Sequence, residues 1–288
     1  MDDELKPRHR TIATNGVRLH AVEAGPESGP LLILLHGFPE FWYGWRNQIG
    51  PLAAAGFRVL APDQRGYNLS EKPRKVSAYR LDTLVADVAG LIDEAGRDKA
   101  FLVAHDWGGA VAWRMGTMRP DRVERLALLN IPHPLVLRNA LRKNAQQRKK
   151  SSYMLYFQLP WLPERTFRRN DYSYSAAALQ KTSRPGTVSD ADITLYKEAW
   201  SQPGAVTTMI NWYRAALRFR PVWPPSPRVP VPTLLIWGAR DRFLGREMAQ
   251  PSIDLCDQGR LVFLDEATHW VHHEEPARVN ALLTEFFR

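Results

Sequence analysis

The sequence predicts an α/β fold: a doubly wound, mostly parallel central sheet with an inserted helical cap. Three observations predict it. Short apolar runs of strand length recur along the chain, separated by stretches of helical spacing. That alternation breaks between about residues 131 and 228, and it resumes at Val231. At 288 residues, the chain is long enough for one large domain carrying such an insertion.

The elements follow in order. Asn15-Gly16 takes the positive φ of a two-residue turn, so residues 10–24 are expected to form an antiparallel pair. The apolar runs are Leu31–Leu35, Phe57–Ala61, Ala100–Ala104, Val123–Leu129, Thr233–Trp237 and Leu261–Leu264. They alternate little, as strands covered on both faces should. Asp82–Ala95 places Val85, Val88, Ala89 and Ile92 at helical spacing, and Trp107–Met118 and Pro276–Phe287 read as further helices. Within the break, Ala191–Trp200 and Val206–Leu217 read as helices. The run Pro221-Val222-Trp223-Pro224-Pro225-Ser226-Pro227 is too proline-rich for helix or central strand and reads as a return linker. The expected division is core 1–130, helical cap 131–228 and core 229–288.

Composition excludes several classes. The chain is 44% hydrophobic and 24% charged, which argues against disorder. The longest apolar run has five residues, Leu31–Leu35, so no membrane span is expected. The opening Met-Asp-Asp-Glu-Leu-Lys lacks a basic segment followed by an apolar one, so no secretory signal is expected. The single cysteine, Cys256, forbids an internal disulfide or a cysteine-based zinc cluster, and a reducing cytoplasm fits best. The net charge of +9 invites a nucleic-acid reading, but much of the excess is local. Arg138 to Lys150 holds six cations and no acid. It lacks interleaved aromatics and reads as a solvated helix face, with attraction to an anionic surface secondary. No nucleic-acid partner is expected.

The segment that carries chemistry is Ala100-Phe101-Leu102-Val103-Ala104-His105-Asp106-Trp107-Gly108-Gly109. A strand runs into a sharp turn flanked by small residues and then into a helix, the pattern of a nucleophile elbow. No G-x-S-x-G occurs, and Asp106 holds the nucleophile position. The helix start favours its anion. The alternative is a plain helix N-cap. A carboxylate nucleophile forms an ester with a carbon electrophile, and the ester then needs a base and oxyanion donors. His269, just after the last strand, is the expected base, the alternative being a structural surface histidine. Asp241, after the penultimate strand, is the expected acid that orients it; pairing with Arg240 or Arg242 is the alternative. Asn130 stands at the other plausible acid position and supplies hydrogen bonds without charge. His36-Gly37-Phe38-Pro39 follows the second strand, and the amides of Phe38 and Trp107 are the expected oxyanion hole. His36 itself reads as structural. His269-x-x-His272-His273-Glu274 lacks the helical H-E-x-x-H spacing, so no metal is expected there.

These motifs resemble the α/β-hydrolase-fold epoxide hydrolases over nearly the whole chain. The matching segments are His36-Gly37-Phe38-Pro39-Glu40, Asp63-Gln64-Arg65-Gly66-Tyr67, His105-Asp106-Trp107-Gly108-Gly109, Asn211-Trp212-Tyr213-Arg214 and Thr268-His269-Trp270. The resemblance implies that two cap tyrosines hold the epoxide oxygen. Tyr213 matches one and Tyr153 the other, with Tyr156 the nearest substitute. It further implies a small apolar or aromatic epoxide and water as substrates, a vicinal diol as product, and no metal or organic cofactor.

Three other readings remain open on the sequence. A haloalkane dehalogenase shares the Asp106-Trp107 pair but commonly has Asn where Phe38 stands. A fluoroacetate dehalogenase would be expected to place arginines where Trp107 and Ala110 stand. A non-catalytic ligand-binding protein would keep the fold without turnover.

Overall fold

The computed structural model describes residues 4–288. The first three residues, on which the expectation of no secretory signal partly rests, lie outside them.

Eight strands form one sheet in the order β1-β2-β4-β3-β5-β6-β7-β8. The strands are β1 (Arg8–Thr14), β2 (Val17–Ala24), β3 (Leu31–Leu35), β4 (Arg58–Pro62), β5 (Ala100–His105), β6 (Val123–Leu129), β7 (Thr233–Gly238) and β8 (Gly259–Leu264). β1 and β2 pair antiparallel around the Asn15-Gly16 turn, and β2 pairs antiparallel with β4. The remaining pairs are parallel.

The unbroken apolar strands serve two cores. Ile33, Leu35, Leu102 and Ala104 join a core on one face with the helix Leu81–Glu94. Leu32, Leu34, Val103, Leu234 and Ile236 join a second core on the other, with Val279, Leu282 and Leu283 of the helix Pro276–Phe287. Alternate side chains of one strand point to opposite faces, so a strand buried on both must be apolar throughout.

The chain leaves the sheet after β6 and returns at β7, and the described elements between them are helices. Ser189 opens the helix Asp190–Ser201 with a reciprocal cap to Asp192. One expectation needs correcting here. The basic run is two helices, Pro134–Lys143 and Ala145–Lys150, broken where the Asn144 side chain accepts from the Gln146 and Gln147 amides. The stretch Leu162–Thr182 is likewise two helices, because Asn170, Asp171 and Tyr172 take positive φ. Buried hydrogen bonds fasten the insertion to the core. Tyr196 donates to Glu40 (2.8 Å), and the indoles of Trp200 and Trp212 donate to the Pro39 and Arg65 carbonyls (2.7 and 3.0 Å).

Among the described residues no helix is long and apolar enough to cross a membrane. Cys256 is a buried free thiol.

Candidate active site

In an open parallel sheet, the crevice lies beyond the carboxyl ends of the strands, where successive connections run to opposite sides. Here β4 and β5 flank β3 on its two sides, so that point lies between β3 and β5. The segments leaving those two strands are His36-Gly37-Phe38 and Asp106-Trp107-Gly108. Asn130, Asp241 and His269 follow β6, β7 and β8.

Local packing explains the elbow. Asp106 has φ +47°, an uncommon conformation for a residue with a side chain. A Cβ on Gly108 would lie 2.3 Å from the Leu35 carbonyl oxygen, and one on Gly37 would lie 2.4 Å from the Asp106 Cβ. The two loops approach so closely that only glycine fits at either position. The approach lets the Phe38 N–H donate to Asp106 Oδ1 at 2.9 Å. His105, not Asp106, holds the N-cap position, with no side-chain cap bond, and the Asp106 side chain turns toward the β3 loop.

His269 Nδ1 lies 2.8 Å from Asp241 Oδ2. The other Asp241 oxygen accepts from the Phe243 and Leu244 amides at 2.7 and 2.9 Å. Asp241 is buried, and Arg240 pairs with Glu266 instead. His269 is buried rather than a surface residue, and its Nε2 faces Asp106 Oδ2 at 3.6 Å. Burial works against the His269 charge, but Asp241 and Asp106 outweigh it and push the ring up to about 10. Burial would raise the carboxyls of Asp106 and Asp241, yet the His269 ring and the neighbouring N–H donors hold both below their usual value.

Phe38, Asp106, Tyr153, Tyr213 and His269 line one cavity of about 550 Å³. Phe157, Phe167 and Trp270 supply much of its apolar wall. The Tyr153 and Tyr213 rings lie 5.9 Å apart. Burial, with Asp106 charged nearby, pushes both phenols up, so each is a neutral donor near pH 7. Tyr156 also lines the cavity, but its hydroxyl pairs with Thr166 Oγ1 at 2.6 Å. The Trp107 ring packs edge-on against Tyr213 at 4.8 Å. No hydrogen bond joins the Trp107 amide to the Asp106 carboxylate among the described residues. His36 is structural: its Nε2 accepts from the Gln64 amide and its Nδ1 donates to the Gly37 carbonyl, both at 3.0 Å.

Asn130 was expected to supply hydrogen bonds, but its partner and one buried cluster were not foreseen. Asn130 binds Asp241 directly. Its Nδ2 donates to Asp241 Oδ2 at 2.8 Å, and its Oδ1 accepts from the Gly238 amide at 2.8 Å. The cluster is a buried carboxylate, Glu40, ringed by His105, His272 and His273. Glu40, His272 and His273 offer ligand atoms within 4.8 Å of one another, the geometry of a metal cluster. The hydrogen bonding speaks against that use. His273 Nδ1 accepts from Arg46 (3.0 Å), so its proton sits on Nε2 and points at Glu40 Oε1 (2.7 Å). That ring has no lone pair left for a metal. Burial opposes the Glu40 charge, and the His273 and His272 rings hold it well below the usual range. Glu274, which follows His272 and His273, accepts from the Thr268 amide and hydroxyl.

A family model described as the alpha/beta hydrolase fold matches residues 30–276. The chain is 50% identical to the AB hydrolase superfamily protein YfhM of Bacillus subtilis (strain 168), over 96% of each chain. It is 38% identical to Epoxide hydrolase 4 of Homo sapiens, over 96% of this chain and 77% of that one. The crystal structure of the Bacillus megaterium epoxide hydrolase in complex with an inhibitor superposes with a TM-score of 0.87 at 32% identity. It covers 96% of this chain and 99% of that one.

Proposed function

The chain belongs to the α/β-hydrolase family and, within it, to the epoxide hydrolases, and from that premise we propose that it opens an apolar or aromatic epoxide to a vicinal diol through an ester on Asp106. One observation carries the reading: two neutral phenols, the Asp106 carboxylate and His269 line a single, largely apolar cavity, with Asp241 buried behind the histidine. Residues 131–228 act as the cap over core residues 1–130 and 229–288.

In the first step an Asp106 oxygen attacks a ring carbon and the C–O bond breaks. Tyr153 and Tyr213 hold the departing oxygen, and one of them gives it a proton. The resting site carries an Asp106 carboxylate beside a protonated His269. Esterification removes the Asp106 charge, so His269 loses one of the two carboxylates that favour its proton. That proton restores the tyrosine and leaves His269 neutral. In the second step His269, oriented by Asp241, takes a proton from water as the water oxygen attacks the ester carbonyl. The Phe38 and Trp107 amides receive the oxyanion. Collapse expels the diol as its alkoxide, which takes the second water proton from the new Asp106 carboxyl, so the carboxylate is regenerated beside protonated His269. Every proton is accounted for by the chain's own groups and water, with no cofactor in the scheme.

The test is diol release from styrene oxide beside halide release from short haloalkanes, in wild type and Asp106→Ala. Multiple-turnover diol release, lost in the variant, supports the reading. Halide release without diol would assign the site to dehalogenation, and binding without turnover would assign it to a receptor.

A further inference from the structure

The positive charge of this chain resides in the cap. Residues 131–228 hold 16 Lys and Arg against 5 Asp and Glu, whereas the rest holds 23 against 25. The core is close to neutral, so a field of one sign is concentrated on the element that covers the cavity.

Exposed apolar groups gather on the same element. Eleven large hydrophobic residues are exposed among the described residues, and five of them fall between Leu155 and Tyr174. Leu155, Trp161 and Tyr174 are each about two-thirds exposed (67%, 66% and 68%). Trp161 has φ +49°, an outlier for a bulky side chain, and in that conformation its ring stands in solvent.

The cations beside Trp161 and Leu162 are free. Trp161, Leu162, Arg165, Arg168 and Arg169 line one surface hollow. No carboxylate pairs with the three guanidinium groups among the described residues. Glu164 is taken by Arg214, and Asp171 by Lys197. Thr166 lines both this hollow and the catalytic cavity, and the exposed Tyr174 lines the cavity as well.

Exposed Trp and Leu rimmed by unpaired Arg are the chemistry of an interfacial membrane contact. We propose that this face of the cap docks on anionic lipid. Leu155, Leu159, Trp161 and Leu162 enter the headgroup region, and Arg165, Arg168 and Arg169 pair with lipid phosphates. The side of the cavity lined by Tyr174 then faces the phase in which an apolar substrate would dissolve. A nucleic acid would match the cations but would leave Leu155, Leu159 and Leu162 unused.

The test is flotation of the full chain with phosphatidylcholine vesicles and with vesicles to which phosphatidylglycerol is added. Wild type is expected to float with the anionic vesicles only, and less as salt rises. The triple variant Arg165→Gln, Arg168→Gln, Arg169→Gln is expected to lose affinity about 10²-fold, at about fivefold for each cation. Trp161→Ser is expected to lose about tenfold and to keep the salt dependence. Melting curves establish that both variants fold, so the result does not depend on the epoxide reading. Absence of wild-type flotation, or variants that float like wild type, would overturn the proposal. Retention of duplex DNA that the triple variant abolishes, with vesicles ignored, would overturn it in favour of a nucleic-acid surface.

Discussion

His269 Nε2 stands 3.6 Å from Asp106 Oδ2, beside the charge of that carboxylate. This placement, with Asp241 on the other side of the ring, keeps the folded-state pKa near 10 against an ordinary 6.5. The folded chain therefore binds the proton more tightly than the unfolded chain. The stabilisation is complete below about pH 6.5 and is lost as pH rises through 10. Urea midpoints of wild type and His269→Gln should differ most near pH 6 and converge toward pH 10. A constant gap would contradict the assignment of the proton.

Tyr153 and Tyr213 are expected to act on the first step only. Tyr153→Phe and Tyr213→Phe should each slow ester formation by about 10²-fold or more, the usual scale for a positioned acid. The cavity keeps its shape because only a hydroxyl is removed. Rapid-quench measurement of the first turnover separates this from an effect on ester hydrolysis.

Asn130 and Asp241 are expected to act on the second step. Asp241→Asn removes the charge that orients and stabilises the imidazolium, and should cost about 10³- to 10⁴-fold in turnover. Asn130→Ala leaves that charge in place but removes one of its donors, and should cost about tenfold. If both variants lose the same factor, Asn130 does more than hold Asp241.

Gly108 tests the elbow as architecture. With the Leu35 carbonyl oxygen 2.3 Å from any added Cβ, neither loop can yield without moving β3 or the nucleophile. Gly108→Ala should destabilise the chain by about 3 kcal/mol or more. Urea unfolding followed by circular dichroism measures it.

The sequence was most legible where function and backbone share one short segment. The elbow shows its small residues and Asp106, the proposed nucleophile, within six positions, and the strands show themselves because burial on two faces demands continuous apolar runs. Position after a strand then singles out Asp241 and His269. Less legible were groups whose meaning depends on a partner far along the chain. Asn130 meets Asp241 across 111 positions, and Glu40 meets His273 across 233. No local pattern announces such pairs. The break at Asn144 was missed for a different reason. A polar side chain that caps a helix is spelled the same way as one that decorates its surface, and only backbone geometry tells them apart.

The central claim is that a covalent ester forms on Asp106, and the most direct measurement is mass spectrometry of His269→Gln quenched in acid after mixing with styrene oxide. The variant keeps the nucleophile and the tyrosines but lacks the base; solvent replaces the proton that His269 gives the tyrosine, so the ester should accumulate to about one per chain. The added mass should equal one substrate molecule and map to the peptide containing Asp106. An unmodified protein that nonetheless yields diol, or an adduct on any other residue, would contradict the account.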